Sequence, residues 1–134
     1  MVRAIHVPNP FAIGEARTFG GVEVQAVAAY NLAKAFHARE KGWVGYLIEV
    51  DRRRLYHAGD TDNIPEMEGL RPDVAMLPIG EMFTMGRAMA AEAVAAIEPK
   101  LVVPMHFSML IGGRRAGERF VASLGDRSLL LPRA

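Results

Sequence analysis

The chain has 134 residues, 51% hydrophobic and 23% charged, a composition that suits one compact globular domain rather than a disordered segment. With 16 Lys and Arg against 15 Asp and Glu the formal net charge is +1, so no electrostatic surplus points to nucleic acid or an anionic membrane as a partner. Cysteine is absent, which excludes disulfides and thiolate metal sites and confines any metal to His, Asp or Glu ligands.

No run of about 18 apolar residues is present to span a membrane. Nor does a signal-length apolar segment follow Met1-Val2-Arg3-Ala4, so the expected location is cytoplasmic. Residues 6–18 are rich in Pro and Gly without periodicity and read as an irregular arm over 1–18. Residues 22–28 alternate Val22, Val24, Ala26 and Ala28 against Glu23, Gln25 and Val27, the pattern of a half-buried strand. A loop is expected over 30–42. The aromatic and β-branched run 43–50 predicts a second strand, which turns at Asp51-Arg52-Arg53 and returns over 54–58 as a hairpin.

Beyond Gly59 the pattern changes. Asn63, followed by Pro65 and Glu66, suits the cap and first turn of a short helix. Residues 73–78 form a short apolar run of the kind buried on both faces of a sheet. Thr84 is positioned to cap a helix reaching about Ile97, with Met85, Met89, Ala93 and Ile97 on one stripe, and Pro99 ends it. A buried strand over 101–105, a helix over 116–124 closed by Gly125, and a last strand over 128–131 complete the reading. The chain is expected to be a single partial domain over 1–134, with antiparallel β structure first and alternating β and α structure after it.

Two places bring polar residues directly after apolar strands. In Tyr56-His57-Ala58-Gly59-Asp60-Thr61-Asp62 a glycine permits a sharp turn, so that Asp60 projects from the carboxyl end of a strand, where ligand sites in sheet proteins concentrate. Its carboxylate has two oxygens and can bridge two divalent cations. In Leu101-Val102-Val103-Pro104-Met105-His106-Phe107 a rigid strand leads to one imidazole, a common zinc ligand. Taken singly, each has an ordinary alternative: a hydrogen-bonded strand-end histidine, and a plain Gly-Asp-Thr turn.

In register the two segments are more specific. Gly42-Trp43-Val44-Gly45-Tyr46, the Tyr56 to Asp62 segment, Pro72-Asp73-Val74-Ala75-Met76-Leu77-Pro78-Ile79-Gly80, Phe83-Thr84-Met85, Ala90-Ala91-Glu92-Ala93 and Val103-Pro104-Met105-His106-Phe107 together resemble the C-terminal half of the metallo-β-lactamase superfamily. Within it they are most similar to the small metal-dependent hydrolases related to the lactonase that opens ascorbate-6-phosphate. The resemblance runs from about Gly21 to about Ser108. It implies an α/β chain, one half of an αββα sandwich with a mixed sheet and flanking helices. It also implies a divalent metal, Zn2+ first and Mn2+ or another as alternatives, and a metal-activated water acting on an ester, lactone, amide or phosphodiester bond of a small-molecule substrate.

By the resemblance, Asp60 matches the aspartate that bridges two metals and His106 the late histidine of the second metal; these are the candidate catalytic residues. The family places a further histidine after the strand that here ends at Ala28-Ala29-Tyr30-Asn31. His37 is the nearest histidine and takes that role, while Asn31 either contacts the site or forms a turn. The family's first metal motif, His-x-His-x-Asp-His, is absent, and the early His6 has no partner at that spacing. A catalytic zinc normally takes three protein ligands plus water. Asp60, His106 and His37 would be divided between two positions.

Two function classes therefore stay open: a metal-dependent hydrolase active as part of a complete site, and a non-catalytic, truncated remnant or interaction module of the same fold. Half a sandwich exposes an apolar sheet face, so a homodimer or pairing with a missing N-terminal half is expected. Other polar residues have plainer readings. His57 alternates away from Asp60 and is structural or supporting. Asp62 reads as a helix cap, Asp73 as a turn acceptor or solvent-facing acid, and Met82, Met85 and Met89 as core or pocket wall. Arg52-Arg53-Arg54 reads as a solvated hairpin tip. Arg114-Arg115 reads as part of a glycine-rich surface loop within reach of an anionic substrate.

Overall fold

The computed structural model describes residues 11–107 and 113–132. Six strands form one sheet whose spatial order is the chain order. They are β1 (Ala16–Phe19), β2 (Val22–Ala28), β3 (Val44–Val50), β4 (Arg53–His57), β5 (Val74–Pro78) and β6 (Leu101–Met105). The first four run antiparallel to one another, and β4, β5 and β6 run parallel. The mixed sheet with flanking helices is the architecture expected from the sequence.

Parallel neighbours require crossovers. The β4–β5 crossover carries a 3-10 turn at Pro65–Met67, and the β5–β6 crossover carries α1 (Arg87–Ile97). A second helix, α2 (Gly113–Leu124), follows β6. The β3–β4 hairpin turns on Asp51 and Arg52 alone, both at positive φ (48° and 60°), because Val50 and Arg53 are already paired. Two left-handed residues give the hairpin a twist that matches its strands.

Alternation along the strands separates two faces. On one, Tyr56, Ala75, Leu77 and Val102 join Ala90, Ala93, Val94 and Ile97 of α1 and Ala116 and Phe120 of α2 in one continuous core. Each large apolar side chain buried there contributes about 1.5–3 kcal/mol. Burial pushes the Tyr56 phenol well above its ordinary range, with a smaller push from Glu66. On the opposite face, Val24, Val44, Tyr46, Ile48, Leu55, Val74 and Met76 remain only half-buried.

Several elements differ from expectation. The expected arm includes β1, which adds to the free edge of β2 with Ala16 opposite Gln25; His6 lies outside the described residues. Helix α1 begins at Arg87 rather than near Thr84, with Gly86 at its cap position. Its first turn is served by the Glu81 carboxylate, which accepts from the Arg87 N–H and complements the helix dipole. The Thr84 hydroxyl instead accepts from the Gly80 N–H at 2.9 Å. Asn63 caps nothing, since the 3-10 turn at Pro65 is entered through Ile64. The strand expected over 128–131 reduces to a single bridge between Ser128 and Val102. Leu129 and Leu131 stay about half exposed, so no second buried face rewards extending the ladder. Arg114 and Arg115 lie in α2 rather than in a loop, and Arg114 pairs with Glu118 one turn on.

Candidate metal centre

Two glycines aim Asp60. As β4 ends, its backbone crosses β3 so closely that a Cβ on Gly45 would lie 2.6 Å from the carbonyl oxygens of both His57 and Ala58. Gly59 sits at φ +71°, with the Val44 carbonyl 2.9 Å from where its own Cβ would be. Only glycine meets both demands, and the turn it makes throws Asp60 out beyond the sheet's carboxyl end. His106 leaves the end of β6 at φ +56°, a left-handed conformation unusual for a non-glycine residue and frequent where a side chain is being aimed.

The three sequence-derived candidates converge. His37 Nε2 lies 3.3 Å from Asp60 Oδ2, and His106 Nε2 lies 3.4 Å from Asp60 Oδ1. His37 is the most enclosed, with its side chain 21% exposed against 39% for Asp60 and 37% for His106. Among the described residues, no group of three or more His, Asp or Glu side chains encloses a single metal position. The arrangement is a carboxylate whose two oxygens each face a different imidazole, giving two positions with one oxygen and one nitrogen apiece.

The donor chemistry fits cations in those positions. His37 Nδ1 lies 3.2 Å from the Phe83 carbonyl oxygen. A carbonyl and a carboxylate both only accept, so the ring has an acceptor on either side; a divalent ion between Nε2 and Asp60 would take the Nε2 lone pair and leave the Nδ1 N–H to the Phe83 carbonyl. Ligating histidines characteristically donate their other N–H to a carbonyl or carboxylate in this way.

Beneath these groups runs a polar brace. Thr61 Oγ1 receives the Tyr30 N–H at 3.1 Å and donates to the Tyr30 carbonyl at 2.9 Å. The Asp62 carboxylate accepts from the Leu32 N–H at 3.0 Å and pairs with Lys34. The Thr61 carbonyl receives the Met85 N–H at 2.9 Å. Together these bonds tie the 30–37 and 80–85 segments to the Asp60 turn. Around the rim, Trp43 meets the His37 ring edge-on at 6.0 Å and Phe36 meets Phe83 at 5.1 Å. Trp43, Phe36 and Met82 are each about half exposed or more.

Comparison with known proteins bears on the family and the fold. The beta-lactamase superfamily domain matches residues 3–106. The chain belongs to the metallo-β-lactamase superfamily. It is 38% identical over 112 residues to a UPF0173 metal-dependent hydrolase of Thermoplasma acidophilum, covering 80% of this chain and 49% of that protein. It is 36% identical over 131 residues to one of Thermococcus onnurineus, covering 90% and 58%. The solved metallo hydrolase Igni18 of Ignicoccus hospitalis superposes with a TM-score of 0.70 at 25% identity, over 90% of this chain and 56% of that one. The chain thus spans about half the length of the curated relatives it matches. The affinity to an ascorbate-6-phosphate lactonase rests on the sequence motifs alone.

Within the superfamily fold, the remaining sequence-derived residues fall into place. His57 points to the face opposite the core, paired with Tyr46, and its Nδ1 accepts from the Gly59 N–H at 3.2 Å. Asn31 is buried and braces the His37 loop. Asp62 is a buried ion-pair partner of Lys34 and not a helix cap, because the chain turns back under the 32–34 segment there. Asp73 accepts from the Arg54 N–H of the neighbouring β4 and pairs with Lys100, so it ties strands together and is neither a turn acceptor nor a freely solvated acid. Met85 is fully buried and Met89 packs on the core, but Met82 is 67% exposed and belongs to neither core nor closed pocket. Sequence reading missed the brace of Thr61, Lys34 and the Phe83 carbonyl. Its only sequence signal was the polar run Asp60-Thr61-Asp62, and that pattern is shared with ordinary turns. No described helix is long and apolar enough to cross a membrane.

Proposed function

We propose that this chain contributes Asp60, His37 and His106 to a dinuclear hydrolytic centre, with zinc as the metal. The observation that carries the reading is the Asp60 carboxylate, set with one oxygen toward His37 Nε2 and the other toward His106 Nε2. A divalent metal at such a centre supplies Lewis-acid polarisation of a scissile carbonyl or phosphoryl oxygen and brings water close to ionisation at neutral pH. Asp60 would hold a cation through each carboxylate oxygen, with His37 offering Nε2 beside Oδ2 and His106 offering Nε2 beside Oδ1. The substrate bond is of the ester, lactone, amide or phosphodiester type, all of which suit this chemistry.

Each position receives two protein ligands here, and three is the usual number for a catalytic zinc. The remaining ligands come from a second polypeptide segment packed on the half-buried sheet face, where Phe19, Trp43 and Val50 are 54%, 56% and 40% exposed. Support comes from the relatives, in which the matched segment is only about half of the protein.

Dialysis against zinc followed by metal analysis tests the reading. The chain is expected to retain zinc that folded His37→Ala, Asp60→Ala and His106→Ala variants release. Equal retention by all four would sink it, and would favour a non-catalytic interaction module. Sedimentation distinguishes the partner: a concentration-dependent dimer assigns the apolar face to a second copy rather than to a separate segment.

A further inference from the structure

Four polar side chains are buried among the described residues: Asn31, Thr61, Asp62 and Thr84. Burying a polar group is costly unless its hydrogen bonds are made. Asn31 departs from that rule in one informative way. Both N–H bonds of its amide go to main-chain carbonyls, those of Phe36 and Phe83, each at 2.8 Å. Its backbone N–H goes to the His37 carbonyl, also at 2.8 Å. Its Oδ1 is buried with no hydrogen-bond partner. The amide orientation is forced, since turning it over would set Oδ1 against two carbonyl oxygens. A buried acceptor left unsatisfied is retained only where the donor side of the same group is needed.

What the donor side holds is the His37 loop. The Phe83 carbonyl receives Asn31 Nδ2 and also His37 Nδ1, at 2.8 and 3.2 Å. Asn31 thus grips the residue before His37, the backbone of His37, and the carbonyl against which the His37 ring rests. These bonds join two loops far apart in sequence at a point directly behind the imidazole.

We infer that Asn31 is a positioning residue for His37. It fixes the Phe83 carbonyl against which the His37 ring rests, and so keeps Nε2 turned toward Asp60. The purpose of that geometry rests on the metal-binding reading of His37; the placement of the ring is a property of the metal-free chain.

Nuclear Overhauser contacts of the His37 ring, read on the metal-free full chain, report its placement directly. Wild type is expected to show the ring against Trp43, which it meets edge-on at 6.0 Å. Asn31→Leu keeps the volume and removes both donors. It is expected to lose the His37–Trp43 contacts, with the contacts of His57 to Tyr46 unchanged, and to weaken zinc binding about tenfold. Asn31→Ser, whose hydroxyl is too short to span both carbonyls, serves if the leucine variant does not fold. A wild-type ring away from Trp43, or a folded variant that keeps the wild-type contacts, overturns the inference. Lost contacts in the variant without zinc retention by wild type keep the positioning role and remove the metal reading; zinc retention with unchanged contacts does the reverse.

Discussion

Gly80 lies against the ring of His106: a Cβ at this glycine would sit 2.6 Å from His106 Nδ1 and 2.7 Å from Thr84 Oγ1. The glycine stands at the end of β5 and the histidine at the end of the adjacent parallel strand, so the sheet brings them side by side. A methyl group at Gly80 must push either the imidazole or the threonine aside. In Gly80→Ala the ring is the freer of the two, because His106 is partly exposed and Thr84 is fully buried. The variant is expected to fold with a loss of about 1–2 kcal/mol and to bind zinc at least about tenfold more weakly. Unchanged zinc affinity by calorimetry would show that the His106 ring is not held by this contact.

Gly45→Ala tests the crossing that aims Asp60. Its Cβ would meet two backbone oxygens, which cannot rotate away as a side-chain tip can. Destabilisation of about 3 kcal/mol is expected, near the upper end for overpacking, with a fall in melting temperature of roughly 10 °C. Thermal unfolding followed by circular dichroism measures it.

The Lys34–Asp62 pair should respond asymmetrically. The Asp62 side chain is 3% exposed and that of Lys34 26%. Lys34→Ala leaves a buried carboxylate with the Leu32 N–H for support, and a cost of about 2–3 kcal/mol is expected. In Asp62→Asn the lysine can turn to water and the amide oxygen still accepts from Leu32, so the cost should be nearer 1 kcal/mol. Urea unfolding of both variants checks the order; equal losses would mean the lysine is as confined as the acid.

Acid stability should carry the signature of Asp73. The Lys100 ammonium hydrogen-bonded to it, then the Arg54 N–H, hold its carboxyl at about 2, below the ordinary 3.8. A carboxyl held low in the folded state stabilises the fold fully above its unfolded value and loses that contribution as pH falls through the folded value. The urea midpoints of wild type and Asp73→Asn should therefore differ at about pH 5 and converge between about pH 4 and about pH 2. A difference that persists to the lowest pH would assign the effect to the hydrogen-bond geometry rather than to charge.

Much of this molecule is legible in its residues. β2, β3 and β6 could be placed to within a residue, because alternation or continuous apolarity over five to seven positions is a strong signal. Asp60 and His106 stand out as candidates because each comes at the end of an apolar strand. His37 was harder, since it comes from an irregular loop and reaches Asp60 only through Asn31, Asp62 and the Phe83 carbonyl. A main-chain carbonyl has no sequence signature. Thr84 was misread for a related reason: a threonine before an apolar stripe has the pattern of a cap, but here its hydroxyl is already engaged by the Gly80 N–H. Local rules describe what a residue offers to its own segment, and these residues are committed to another.

The sheet's order has a consequence for how the molecule comes into being. Every strand lies beside its neighbour in sequence. Two of the strand pairs close through two-residue turns, with Phe19 opposite Val22 and Val50 opposite Arg53. Short closures cost little entropy and favour rapid pairing, so the sheet can grow from one edge to the other as the polypeptide emerges. The site cannot grow that way, because His37 and Asp60 belong to two separate interstrand segments and His106 to the segment that follows β6. A nascent chain halted between β5 and β6 holds four of the five strand pairings and has yet to acquire His106.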